Sequence, residues 1–161
     1  DEGSINEIME IENDSYPNPW SGSIFQKELN SSISRVLVAR TEQGHGRCVA
    51  GYTVYWLVAD EVHLHNIAVR RDLRRNKVAS RMLGEAIRRA QLEGARWMTL
   101  EVRRSNLPAR KFYEKFGFSV RGVRPGYYTD RHEDALIMWA DLRGIPSVQC
   151  STTVAGEGND G

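Results

Sequence analysis

Cysteine is scarce in this chain: Cys48 and Cys150 are the only two among 161 residues. They make neither a disulfide framework nor a metal cluster, and such sparing use suits a reducing compartment. Net charge is nearly absent as well, +1 from 22 basic and 21 acidic residues. That balance excludes a generally polycationic nucleic-acid binder, so any basic surface must be local. No apolar run approaches the length of a membrane span, no secretory signal is visible, and no internal repeat occurs. The chain opens on Asp1 rather than Met, which leaves room for an N-terminal piece to have been removed. What remains is ordinary globular composition, 40% hydrophobic with four Trp and six Tyr, in a length that suits one domain with a real core. The expectation is a cytoplasmic protein, monomeric or weakly dimeric, with no nucleic-acid or membrane partner and no bound metal.

The most organised stretch runs from Val62 to Gly94. Val62-His63-Leu64-His65-Asn66-Ile67-Ala68-Val69 alternates like a strand. The basic connector Arg70-Arg71-Asp72-Leu73-Arg74-Arg75-Asn76-Lys77 follows. Val78, Ala79, Met82, Leu83, Ala86, Ile87 and Ala90 then recur at helical spacing, and Gly94 stands at the C-terminal cap position. Cations at a helix N-terminus oppose the dipole by roughly 0.3–1 kcal/mol each. A bound phosphate or pyrophosphate, held by free backbone N–H groups and flanking arginines, resolves the conflict; a solvated charged surface is the plain alternative.

Taken in order, Ser4-Ile5-Asn6-Glu7 reads as a capping box opening a short helix. Tyr16-Pro17-Asn18-Pro19-Trp20 stops it, and a second helix starts near Ser21 or Ser23. Strands follow at about 33–40, 48–58 and 62–69, then the long helix. A strand at 96–103 comes next, and a helix at 107–116 with Pro108 in its first turn and Gly117 at its end. A strand from Phe118, a loop at Pro125-Gly126 and a last strand at 134–141 complete a domain spanning 1–143. Residues 144–161, rich in Gly, Ser and Thr, read as a flexible tail. The element order is ααβββαβαββ.

Two residues in this frame need a chemical explanation. Glu101 sits in Trp97-Met98-Thr99-Leu100-Glu101-Val102, a strand apolar on both faces, where a carboxylate is costly unless paired or used. Pairing with Arg103 or Arg104 is the plain reading. Tyr113 shares a helix stripe with Ala109, Phe112 and Phe116, so core packing is its default role.

Arg74-Arg75-Asn76-Lys77-Val78-Ala79 resembles the acetyl-CoA signature of the GCN5-related N-acetyltransferases (GNAT), Gln/Arg-x-x-Gly-x-Gly/Ala, with Lys77 in the place of the first Gly. The ordered series Tyr16–Ser21, Glu101–Asn106, Phe112–Phe118, Gly126-Tyr127-Tyr128, Glu133-Asp134-Ala135 and Met138 is similar, over about residues 5–142, to the bacterial ribosomal-protein S18 alanine N-acetyltransferases (the RimI family). That resemblance implies an α/β fold, a mixed central sheet with helices on both faces (αβα layers), lacking the family's usual first strand here. An edge would thus be left at 33–40, and Ser147–Val154 or nothing would fill it. It implies acetyl-CoA as co-substrate and a protein N-terminus as acceptor. Residue by residue, Glu101 matches the general base and Tyr113 the general acid. Ile67, Ala68 and Val69 match the strand that holds the acetyl and pantetheine portion. Arg74, Arg75, Asn76, Lys77, Val78, Ala79 and Ser80 match the pyrophosphate loop, and Asn106 a further CoA contact. Tyr127, Tyr128 and the Tyr16–Ser21 turn, with Trp20 in it, lie where the family binds the acceptor peptide.

The residue types suit that chemistry. An α-amine with a pKa near 7.7–8.0 is partly neutral at pH 7, whereas a lysine at about 10.4 is almost wholly charged. A carboxylate can take the remaining proton through water, and a tyrosine hydroxyl can protonate the leaving thiolate. A broader N-terminal or lysine acetyltransferase and a non-catalytic CoA-binding module are the competing readings. The former rests on acceptor preference lying in loops, the latter on Lys77 in the glycine slot. His63 and His65, on one strand face, read as packing or exposure rather than metal ligands.

Overall fold

The computed structural model describes residues 2–44 and 46–146. Helix α1 (Glu2–Ser15) and helix α2 (Gly22–Asn30) are followed by strands β1 (Ser34–Gln43), β2 (Gly46–Val58) and β3 (Glu61–Val69). Helix α3 (Val78–Leu92), strand β4 (Trp97–Arg103), helix α4 (Leu107–Lys115) and strands β5 (Ser119–Tyr128) and β6 (Glu133–Asp141) complete the order. It is the ααβββαβαββ read from the sequence. The six strands form one sheet in the order β1-β2-β3-β4-β6-β5. All pairings are antiparallel except β3 with β4.

Two cores lie on opposite faces. Beneath α1 and α2, Ile8, Ile11 and Phe25 pack on Val49, Tyr52, Val54 and Ala68. Across the sheet, Leu83, Ala86, Ile87 and Ala90 of α3 and Tyr113 of α4 pack on Leu64, Met98, Leu100 and Met138. Each fully buried side chain of this size contributes about 1.5–3 kcal/mol, which is why α3 forms despite a cationic N-terminus. The packed chain continues past β6: Leu142 is buried, Ile145 joins the same core, and Gln91 Nε2 donates to the carbonyls of both. The replacement strand considered at Ser147–Val154 lies outside the described residues, as does nearly all of the tail. Among the described residues β1 is a sheet edge.

Three local expectations are corrected. Ser4 and Glu7 do not cap α1, which already runs from Glu2. Ser4 Oγ instead accepts from Arg40 Nη2 at 2.5 Å, and Glu7 Oε2 accepts the Val49 N–H at 2.7 Å. Both side chains are drawn into contacts with β1 and β2. Pro125-Gly126 is not a loop between strands but an irregularity within β5, whose register to β6 shifts between Arg124 and Tyr128. The Gly at φ 60° takes up the bend. Glu101 does not pair with Arg103 or Arg104. Arg103 is held by Asp130 at 2.9 Å and Glu133 at 3.5 Å, and Arg104 by Asp134 at 3.3 Å.

Two features of β3 position the site. Its parallel pairing with β4 covers only Glu61–His63 against Trp97–Thr99. Beyond His63 the strands diverge, leaving the facing backbone edges of Leu64–Val69 and Leu100–Arg103 unpaired with each other. A register shift against β2, where Val54 faces Asn66 but Tyr55 faces Leu64, makes His65 the extra residue of a β-bulge. Val62 and Leu64 therefore face the α3 core, yet beyond the bulge Ile67 takes that side and Ala68 the other.

Candidate active site

The divergence of β3 and β4 opens a cleft of about 1020 Å³. Its floor is the unpaired C-terminal half of β3. Part of that edge is already capped: Tyr16 Oη donates to the Ile67 carbonyl at 3.0 Å, and Arg74 Nε donates to the Val69 carbonyl at 3.0 Å. The rest offers strand N–H and C=O groups to an extended ligand.

At one end of the cleft the connector meets the N-terminus of α3. Lys77 is the cap residue but gives no side-chain cap, so the first-turn N–H groups at Val78, Ala79 and Ser80 remain open. Arg75 and Lys77 both have positive φ, 64° and 61°. That left-handed conformation costs a residue with a Cβ roughly 1–2 kcal/mol. Among the described residues Arg75, Lys77 and Arg81 have no carboxylate partner. Arg74 does have one: its Nη2 lies 3.3 Å from Asp14 and 3.2 Å from Ser15 Oγ. It braces the loop against α1 rather than standing free. Asn76 turns back onto the carbonyls of Leu73 and Arg74 and, alone of the expected cofactor set, does not line the cleft. Asn106 lines it while capping α4, its Oδ1 accepting the Ala109 N–H at 3.2 Å. Open amides plus unpaired cations fit a pyrophosphate.

Glu101 and Tyr113 reach the cleft from opposite faces of the sheet. On β4, Leu100 and Val102 pack into the α3 core, so alternation turns Glu101 to the α1–α2 side. There its Oε2 lies 2.6 Å from His63 Nε2 and its Oε1 3.4 Å from Arg124 Nε. Burial would raise its pKa, but the His63 hydrogen bond, with charge from His63 and Arg124, outweighs it and holds the carboxyl below the usual value of 4.5. The group is an anion at neutral pH. Tyr113 lies on α4, ringed by Phe112 and Phe118. Burial, and then Tyr128 nearby, push its pKa above the ordinary phenol value, so it holds its proton. Among the described residues its hydroxyl has no hydrogen-bond partner, which leaves the donor free for a ligand.

The α1–α2 turn and the β5–β6 hairpin close the far side. Trp20 packs on Phe25 and His65 at centroid distances of 5.5 and 6.2 Å. Tyr127 and Tyr128 meet edge to face at 5.1 Å, with Arg103 4.1 Å over Tyr128. Tyr128 is itself pushed up to about 12, mainly by burial. Beneath the turn lies Glu12, 1% exposed. Its carboxylate accepts the Trp20 N–H at 2.8 Å, the Tyr52 hydroxyl and the Asn66 amide at 3.3–3.4 Å. Burial raises its pKa while the Trp20 and Asn66 donors oppose the rise. The sequence reading missed Glu12, Arg124 and the use of His63, and it named Tyr16 only as part of the Tyr16–Ser21 turn, not as a donor to the Ile67 carbonyl. For Glu12 a carboxylate on the apolar stripe of α1 was a usable signal; for Arg124 there was none.

The sequence profile of the acetyltransferase (GNAT) family matches residues 5–118. A Bacillus subtilis (strain 168) protein, provisionally named a ribosomal protein bS18-alanine N-acetyltransferase, is 36% identical over 138 residues, covering 86% of this chain and 89% of that one. The crystal structure of the ribosomal-protein-S18-alanine N-acetyltransferase from Escherichia coli superposes with a TM-score of 0.76 at 31% identity, covering 86% and 87% of the two chains. A chain from the NatC complex bound to Gag peptide and CoA has a TM-score of 0.76 at 20% identity, covering 88% and 92%, a likeness of fold alone.

Proposed function

The chain belongs to the acetyltransferase (GNAT) family, and on that premise we propose that it moves acetyl from acetyl-CoA to the N-terminal α-amine of a protein. The favoured acceptor is the N-terminal alanine of ribosomal protein S18, the acceptor named for the B. subtilis and E. coli proteins, and such an acceptor suits an enzyme acting in the cytoplasm. The observation that carries this reading is the meeting of an anionic Glu101 and a protonated, unpartnered Tyr113 in one cleft.

The steps follow from what these groups can do. Extended pantetheine would lie along the open edge of β3 at Ile67, Ala68 and Val69. Its pyrophosphate would sit on the amides of Val78–Ser80, with Arg75 and Lys77 supplying charge and Asn106 a further contact. The acceptor would enter past Trp20, Tyr127 and Tyr128. Glu101 takes the proton of the attacking ammonium through water, leaving a neutral amine to add to the thioester carbonyl. A strand N–H near Val69 polarises that carbonyl. As the tetrahedral adduct collapses, Tyr113 gives its proton to the departing thiolate; the surplus proton on the nitrogen leaves through water and restores the phenol, so a neutral amide remains on the acceptor. Transfer is direct, so no residue is acylated.

A peptide beginning Ala-Arg with a free α-amine gains one acetyl group by mass spectrometry, while the same peptide blocked at its terminus and carrying a lysine gains none. Equal labelling of both would favour the broader acetyltransferase and sink the N-terminal assignment. On the accepted peptide, Tyr113→Phe lowers kcat by roughly 10²-fold if the hydroxyl donates the proton; an unchanged kcat makes it a core aromatic.

A further inference from the structure

His63 belongs to neither of the two buried cores. Its ring stacks on His65 at a centroid distance of 4.3 Å, and His65 in turn lies 4.2 Å from Trp56. That aromatic stack fixes the imidazole from behind. From the other side Nε2 meets Glu101 Oε2 at 2.6 Å, within the range of a strong charge-assisted hydrogen bond. Glu101 lines the cleft and His63 does not, so the imidazole, 33% exposed against 11% for the carboxylate, meets Glu101 from outside the cleft lining. Arg124 approaches the other carboxylate oxygen, Oε1, from β5 at 3.4 Å, but its side chain is 54% exposed.

The geometry also explains why the pair exists here. His63 is the last β3 residue still paired with β4, opposite Thr99. Two residues on, where the strands have parted, Glu101 lies beside Ile137 of β6 but has no β3 residue on its other side to restrict its rotamer. His65, the extra residue of the bulge, stays on the same face as His63 and closes the stack.

We infer that His63 is a positioning residue for the transfer reaction, holding Oε2 of Glu101 through its Nε2–H so that Oε1 is presented to the cleft as the proton acceptor. This rests on Glu101 being the base, as proposed above. The proton leaves the acceptor ammonium, passes through water to Oε1 and returns to solvent by the cleft. The Nε2–H stays on the ring throughout. An unheld glutamate samples several rotamers, and each unproductive one subtracts from the fraction of complexes able to react.

The test is a double-mutant cycle on the full chain, with the Ala-Arg peptide and saturating acetyl-CoA. Glu101→Gln alone lowers kcat about 100-fold; if it does not, the base assignment fails before His63 is considered. His63→Leu, which keeps side-chain bulk without the donor, lowers kcat about 10-fold and leaves the KM for acetyl-CoA unchanged. His63→Gln, whose amide can reach the same oxygen, recovers most of that loss. In the Glu101→Gln background, His63→Leu has no further effect. Three results overturn the inference: wild-type kcat in His63→Leu, an equal loss in both backgrounds, or a His63→Gln variant as slow as His63→Leu. Because His63→Gln retains polarity and side-chain length, it remains a measure of the contact should the leucine variant fold poorly.

Discussion

Lys77 holds a backbone conformation that its side chain disfavours, with φ at 61° in the cap of α3. Two effects of replacing it by glycine compete. Relief of left-handed strain is worth roughly 1–2 kcal/mol, while the freer unfolded chain takes back about 0.5–1 kcal/mol. The Lys77→Gly variant is therefore expected to be slightly more stable, by about 0.5 kcal/mol, in denaturant titration. It also brings the loop amides closer to a pyrophosphate. Loss of one screened ammonium matters little beside Arg75 and Arg81, so acetyl-CoA binding tightens by about 1 kcal/mol, similar to one net hydrogen bond. Calorimetry at two salt concentrations checks this: weaker binding with a shallower salt slope would make Lys77 a phosphate ligand instead. Asp14 supports the same loop from α1 by engaging Arg71 at 3.2 Å and Arg74 at 3.3 Å.

Strand β3 shows how an element serves a site by being irregular. Its bulge places His65 between Trp20, Trp56 and His63, and burial, then the neighbouring His63, lowers the His65 pKa from 6.5 to about 4. A base with a lowered folded pKa binds fewer protons folded than unfolded, so its stabilising contribution is intact above pH 6.5. It is lost as pH falls from 6.5 through about 4. Allowing for partial exposure, the loss is about 1–2 kcal/mol. Replacing the ring by one that cannot titrate, as in His65→Phe, should flatten thermal stability across that window relative to wild type. A parallel decline in both proteins would place the acid sensitivity elsewhere. The helices contribute differently: α1 delivers Glu12 beneath the turn at Trp20, and α4 delivers Tyr113 from a face otherwise made of apolar side chains.

The whole molecule is a sheet that comes apart at its centre. A compact sheet would bury the edges of β3 and β4 against each other; here three residue pairs hold them and the rest of both strands face the cleft. A ligand that pairs with the open edge and fills the space should stabilise the fold by linkage. Acetyl-CoA at about 100 times its dissociation constant adds about 2.7 kcal/mol, or roughly 5–10 °C in Tm for a domain of this size. An unshifted melting curve at saturating acetyl-CoA would mean that the cleft is not its site. Among the described residues no helix is long and apolar enough to cross a membrane.

Much of this was legible in the chain because local rules dominate where periodicity is clean. The 3.6-residue spacing of Met82, Leu83, Ala86, Ile87 and Ala90 gave α3, all five are buried, and Gly94 ends that helix at φ 87°. The order of elements followed from such signals, and the ordered motifs drew attention to Glu101 and Tyr113. What the sequence could not determine was whom these residues meet. Strand alternation named Arg103 as the partner of Glu101 because it is near in sequence; the fold chose His63, 38 positions away, and Arg124 from β5. Ser4 and Glu7 fit a local cap equally well, but β1 and β2 offered them better partners. Pairing across a sheet depends on strand order, on the bulge at His65 and on where β3 and β4 part. Those are properties of long-range packing, which no window of neighbouring residues encodes.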